Sequence, residues 1–85
     1  MRNNLLERIA IVPSICHGKP HIRGTRIMVE QVLDLLSDGA GPNEIISEDF
    51  PDLTSEDIRA CIAFANQFLA NDEIHLYEAQ RVEAA

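Results

Sequence analysis

Lys19, Arg23 and Arg26, with His17 and His21 among them, fall within the eleven residues His17-Gly18-Lys19-Pro20-His21-Ile22-Arg23-Gly24-Thr25-Arg26-Ile27. Two glycines and a proline interrupt them, so the segment reads as a turn-rich basic loop. Guanidinium and ammonium groups pair with phosphate or carboxylate, and histidine adds charge at lower pH. The loop therefore has the chemistry to grip an anionic surface. Charge elsewhere is opposite in sign. Residues 1–29 hold five cations against Glu7, a net of +4, while residues 30–85 hold Arg59 and Arg81 against thirteen acids, a net of −11, giving −7 in all. A far field of that sign repels polyanions. Screening confines the repulsion to about 8 Å at physiological salt, so a local basic loop can still act at short range. The acidic half fits a basic protein partner, or serves solubility alone.

Other chemistries fare worse. Cys16, His17 and His21 offer a partial zinc set, but a structural site needs four ligands and Cys61 falls on an apolar helical stripe. Cys61 reads as core packing, since a free cysteine behaves as a small buried hydrophobe. Gly18-Lys19 lacks the upstream glycine of a phosphate loop and is followed by Pro20. With no nucleophile–base set to argue, the expectation is a protein that is not an enzyme and uses no metal or cofactor. Two cysteines make no disulfide framework, Met1–Leu6 has no apolar core, and no apolar run approaches the ~20 residues of a membrane span. The chain reads as cytoplasmic, with reduced thiols and no membrane partner.

The elements that hold the loop follow from periodicity. Ile9-Ala10-Ile11-Val12, ended by Pro13, reads as a strand, and Thr25–Val29 as a second that could pair with it. Val29, Val32, Leu33 and Leu36 lie at i, i+3, i+4 and i+7, which predicts a helix over 29–38 closed by Gly39. Pro42 and Glu44 start a short helix over 42–49 that buries Ile45 and Ile46 and stops at Phe50-Pro51. Thr54 and Asp57 form a short-armed capping box for a third helix over 55–71. Its stripe is Ile58, Cys61, Ile62, Ala65, Phe68 and Leu69, the strongest periodic signal in the chain. The expected fold is thus mainly α. It is a three-helix, homeodomain-like bundle of helix-turn-helix proportions with a short N-terminal strand pair, spanning residues 1–71 as one domain. Residues 72–85 form a tail in which Ile74, Leu76, Tyr77 and Val82 match neither period.

The third helix opens with Ser55, Glu56, Asp57 and Arg59, whose carboxylates would repel phosphate in a groove. If nucleic acid is bound, Lys19, Arg23 and Arg26 must bind it. The competing reading pairs Lys19 and Arg26 with helix carboxylates, holding loop to core.

Ile15 through Ile27, continued in register by Val29–Leu36, Gly39, Glu44-Ile45, Phe50–Thr54, Asp57–Ala60 and Phe64-Ala65, resembles the signature of the domain of unknown function 433 family. The resemblance covers about residues 8–70, and Met28 departs from it where the family more often has proline or another small residue. It implies a homeodomain-like or winged-helix domain. It further implies an antitoxin of VapB type, encoded beside a PIN-like ribonuclease toxin, and it brings no catalytic residues. Such a nuclease holds metal with carboxylates, so an inhibitor can insert a basic side chain or cover the groove with an acidic surface. Arg81, set among Ile74, Leu76, Tyr77 and Val82, is a candidate plug; Arg23 and Arg26 are alternatives. The tail's apolar residues could instead pack back on the third helix. The leading expectation is a homodimeric antitoxin that neutralises a cognate PIN-like toxin. The alternative is a regulator that binds operator DNA through the basic loop.

Overall fold

The computed structural model describes residues 2–71. A tight 3-10 helix over Arg2–Arg8 leads into β1 (Ile9–Ala10), and a loop returns the chain to β2 (His21–Ile22). Three helical stretches follow: α1 (Val29–Ser37), α2 (Pro42–Glu44) continued by a π turn over Ile45–Asp49, and α3 (Ser55–Asn71). The protein is therefore mainly helical, with a two-stranded antiparallel sheet near its N-terminus. No helix among the described residues is long and apolar enough to cross a membrane.

The strand pairing differs from the expected one. Ile9 pairs with Ile22 and Ala10 with His21, so the inner strand comes from the middle of the basic loop. The expected strand over 25–29 folds back on β2 instead. Ile22 N–H donates to the Ile27 carbonyl, Val29 N–H donates to the Pro20 carbonyl, and His21 bridges Met28. The cause is the reversal at Gly24, whose φ of 84° completes a turn closed by Thr25 N–H on the Ile22 carbonyl. Thr25 Oγ1 both donates to that carbonyl and accepts from Ile27 N–H. Thr25 is therefore a turn residue, and the β-branched run after Gly24 has too few free residues to reach β1. The first strand also stops at Ala10, and Ile11 is exposed.

The helices lie where the apolar spacing puts them. Val29 and Val32 of α1 are buried, and Leu33 and Leu36 pack against the core from its edge. Gly39 closes α1 with φ 105°. The second helix tightens differently from the expected form: Phe50 N–H reaches the Ile45 carbonyl at 2.8 Å, a wide π-type closure that leaves Ile45 wholly buried. α3 begins with the reciprocal cap: Thr54 N–H donates to Asp57 Oδ2 at 3.0 Å, and Asp57 N–H donates to Thr54 Oγ1 at 3.2 Å. Ile58, Ala60 and Cys61 then enter the core beside Ile9, Ile22, Val32, Ile45 and Leu53. The stripe does not stay buried along α3. Ile62, Phe68 and Leu69 are exposed, while the fully buried residues of α3 are Ile58, Ala60 and Cys61 in its first half.

Candidate partner-binding loop

The basic loop is tied by its own backbone hydrogen bonds. Ile15 N–H donates to the Val12 carbonyl, Gly18 N–H to that of Ile15, and Lys19 N–H to that of Cys16. Between them the backbone makes one left-handed turn, with φ of 52° at Cys16, 56° at His17 and 78° at Gly18. Glycine takes such angles freely, but Cys16 and His17 do not, so the turn stores conformational energy held by its hydrogen bonds. Cys16 Sγ, 3.4 Å from the Arg26 carbonyl, ties this turn to the end of the loop.

Two of the three cations have partners within the chain. Arg23 Nε donates to the Glu7 carbonyl at 2.7 Å, and its guanidinium also donates to the Ile9 carbonyl at 3.2 Å. The Arg23 backbone N–H donates to the Arg8 carbonyl at 2.8 Å, so this residue staples the loop to the N-terminal segment through backbone acceptors. Lys19 Nζ lies 3.4 Å from Glu30 Oε2, but both side chains are more than half exposed, and such a pair contributes little. Arg26 is exposed and makes no ion pair or side-chain hydrogen bond among the described residues.

Beside Arg26 lies an open cleft of about 470 Å³ lined by Ile15, His21, Gly24, Thr25 and Arg26. His21 is 2% exposed, and its Nδ1 sits 3.2 Å from the Lys19 carbonyl oxygen. A carbonyl can only accept, so in the neutral ring Nδ1 carries the proton and Nε2 keeps its lone pair. His21 therefore reads as a structural pin between the strand and the left-handed turn. His17, by contrast, is exposed.

A second cleft, of about 730 Å³, lies where the N-terminal segment meets α3, and it is lined by Leu5, Glu7, Arg8, Arg23, Glu56, Asp57 and Arg59. Sequence reasoning missed its key member. Arg8 donates to Asp57 Oδ1 at 3.0 Å and lies 3.8 Å from Glu56, so the carboxylates that open α3 face an arginine from the other end of the chain. Nothing in local spacing marks a pair 49 residues apart. Behind Asp57, burial and then the Asp57 charge push the Cys61 thiol up to about 11, which leaves it protonated and unreactive at neutral pH. The proposed tail contacts Ile74, Leu76, Tyr77, Arg81 and Val82 lie outside the described residues.

The family model for a protein of unknown function (DUF433) matches residues 9–65, which takes in both strands, the loop, α1, α2 and most of α3. The chain is also similar to a solved DUF433 member protein from Anabaena variabilis ATCC 29413. That match has 28% identity and a TM-score of 0.67, over 99% of this chain and 75% of the other. No match was found among curated proteins.

Proposed function

The chain belongs to the DUF433 family, and on that premise we propose that it is an antitoxin-type protein that binds and neutralises a cognate PIN-like ribonuclease. One observation carries the reading: all three loop cations are exposed, but Arg26 alone makes no side-chain hydrogen bond or ion pair among the described residues, and it stands on a backbone fixed by hydrogen bonds. A nuclease metal site is a cluster of carboxylates. A single guanidinium held out on a stiff loop suits insertion into such a cluster, where it pairs in bidentate fashion and little ordering entropy is lost. The acidic helices favour a partner with a basic rim, as the surround of an RNA-binding groove is. The protein acts by occupation and transforms nothing itself.

Arg26 and the loop lie inside the matched span 9–65, whereas Arg81 and the apolar tail residues lie beyond it. The loop is thus the better plug for an activity shared across the family. Operator binding remains the second reading, favoured by the exposure of Lys19, Arg23 and Arg26 on one loop. It is weakened by Arg23's bonds to the backbone, because several free cations are needed to neutralise several phosphates. Co-expression with the product of the neighbouring gene tests the proposal. Co-purification and relief of growth arrest are expected, and absence of both overturns it.

A further inference from the structure

The second half of α3 departs from the rest of the chain in composition. Residues 60–71 are twelve in a row without a charged side chain, in a protein where charged residues make up 25%. Yet after Ala60 and Cys61, which are buried, its large apolar side chains come to the surface: Ile62 is 48% exposed, Phe68 54% and Leu69 62%. Their spacing of six and seven residues keeps Ile62 and Leu69 on one face, with Phe68 flanking it. Phe68 is fixed by an edge-to-face contact with Phe64, ring centroids 5.2 Å apart. Next to it an apolar groove of about 190 Å³ runs between α3 and Pro20, Val29 and Leu33, its rim closed by the Lys19–Glu30 pair.

We infer that this face of α3 is the surface on which a second copy of the chain docks, α3 against α3 about a two-fold axis. The charge distribution selects that occupant. Each copy carries −7, so two copies repel unless they meet where neither bears charge, and residues 60–71 are such a place. Self-pairing about a two-fold axis presents the uncharged strip to itself and leaves the acidic faces turned outward. The three exposed side chains offer on the order of 300 Å² per copy. The groove and the Asn66 and Gln67 flanks would bring this toward the ~800 Å² of a standard interface. The loop, with Arg26, stays free to bind a different partner.

Sedimentation of the full chain over a dilution series tests this, with Phe68→Glu and Leu69→Glu as separate variants. Wild type is expected to be dimeric, and each variant to weaken association roughly a hundredfold, because the symmetry buries two unpaired carboxylates per dimer. Added salt should tighten the wild-type dimer by screening repulsion between the acidic bodies. Equal thermal stability of dilute wild type and variants checks that the fold is intact. A wild type that stays monomeric at every concentration overturns the inference, and so does a dimer that survives both substitutions. A dimer loosened by salt does so too, because it would mean that the basic loop meets the acidic helices instead.

Discussion

Arg8 and Asp57 meet at 3.0 Å across 49 residues of chain, and Asp57 uses its other carboxylate oxygen to cap α3 through Thr54 N–H. One side chain therefore holds the N-terminal segment, the first turn of α3 and the turn before it. Asp57→Ala removes the cap and the ion pair together. Losing a cap costs about 1 kcal/mol, and the charged hydrogen bond adds about 1 more once the exposure of Arg8 is allowed for. For a domain of this size that lowers Tm by about 8–16 °C, to be read by thermal unfolding followed by circular dichroism. Asp57→Asn, which keeps one acceptor for Thr54 N–H, is expected to recover about half the loss.

Cys61 gives the protein an alkaline limit. Its thiol keeps its proton in the fold up to about 11, against an ordinary value of 9.0, because burial opposes the thiolate and Asp57 repels it. Between those values the folded chain binds more protons than the open chain. The stabilisation is thus fully present below pH 9 and is lost as pH rises through 11. The full effect is roughly 2–3 kcal/mol. Denaturant unfolding at a series of pH values should show this decline in wild type, and Cys61→Ala should flatten it while lowering stability at neutral pH.

Arg23 and Arg26 are expected to separate. Arg23→Ala breaks side-chain hydrogen bonds to the Glu7 and Ile9 carbonyls and should cost about 1–2 kcal/mol of stability. Arg26→Ala removes a surface cation that has no side-chain hydrogen bond or ion pair among the described residues and should change stability by less than about 0.5 kcal/mol. Parallel urea titrations of the two variants measure the difference.

The left-handed turn predicts a gain. His17 holds φ 56° with its side chain exposed, so His17→Gly relieves backbone strain. The greater freedom of glycine in the open chain offsets part of it, leaving about 0.5–1 kcal/mol of added stability. A raised midpoint in denaturant is the readout.

Much of this fold was legible because two helices rest on apolar spacing that only one face can satisfy. Val29, Val32, Leu33 and Leu36 marked α1, and Thr54 with Asp57 marked the start of α3 to the residue. The sheet was less legible. Thr25–Val29 has strand-like residue types, but the hydroxyl of Thr25 and the positive φ of Gly24 make a turn that no propensity for strands can override. The basic loop was identified by composition, whereas the division of labour within it depends on backbone carbonyls at Glu7 and Ile9 that only the folded N-terminal segment brings near Arg23. The 3-10 helix of Arg2–Arg8 and the Arg8 contact left no pattern to find, since ion pairs distant in sequence have no period.

DNA binding, if present, is expected to be faint. With Arg26 the one loop cation that makes no side-chain hydrogen bond or ion pair among the described residues, the logarithmic salt slope should be about −1, where three free cations would give about −3. Fluorescence anisotropy with promoter DNA over a range of salt concentrations distinguishes the two, and the steeper slope would favour the regulator reading.

Calorimetric titration of the full chain into the PIN-like nuclease proposed as its partner, comparing wild type with Arg26→Ala, tests the proposed plug most directly. Tight binding by wild type and a loss of tenfold or more in the variant, about 1.4 kcal/mol or greater, is the predicted result. Equal affinity for the two proteins would contradict the account, because the nuclease would then be held by some surface other than this loop.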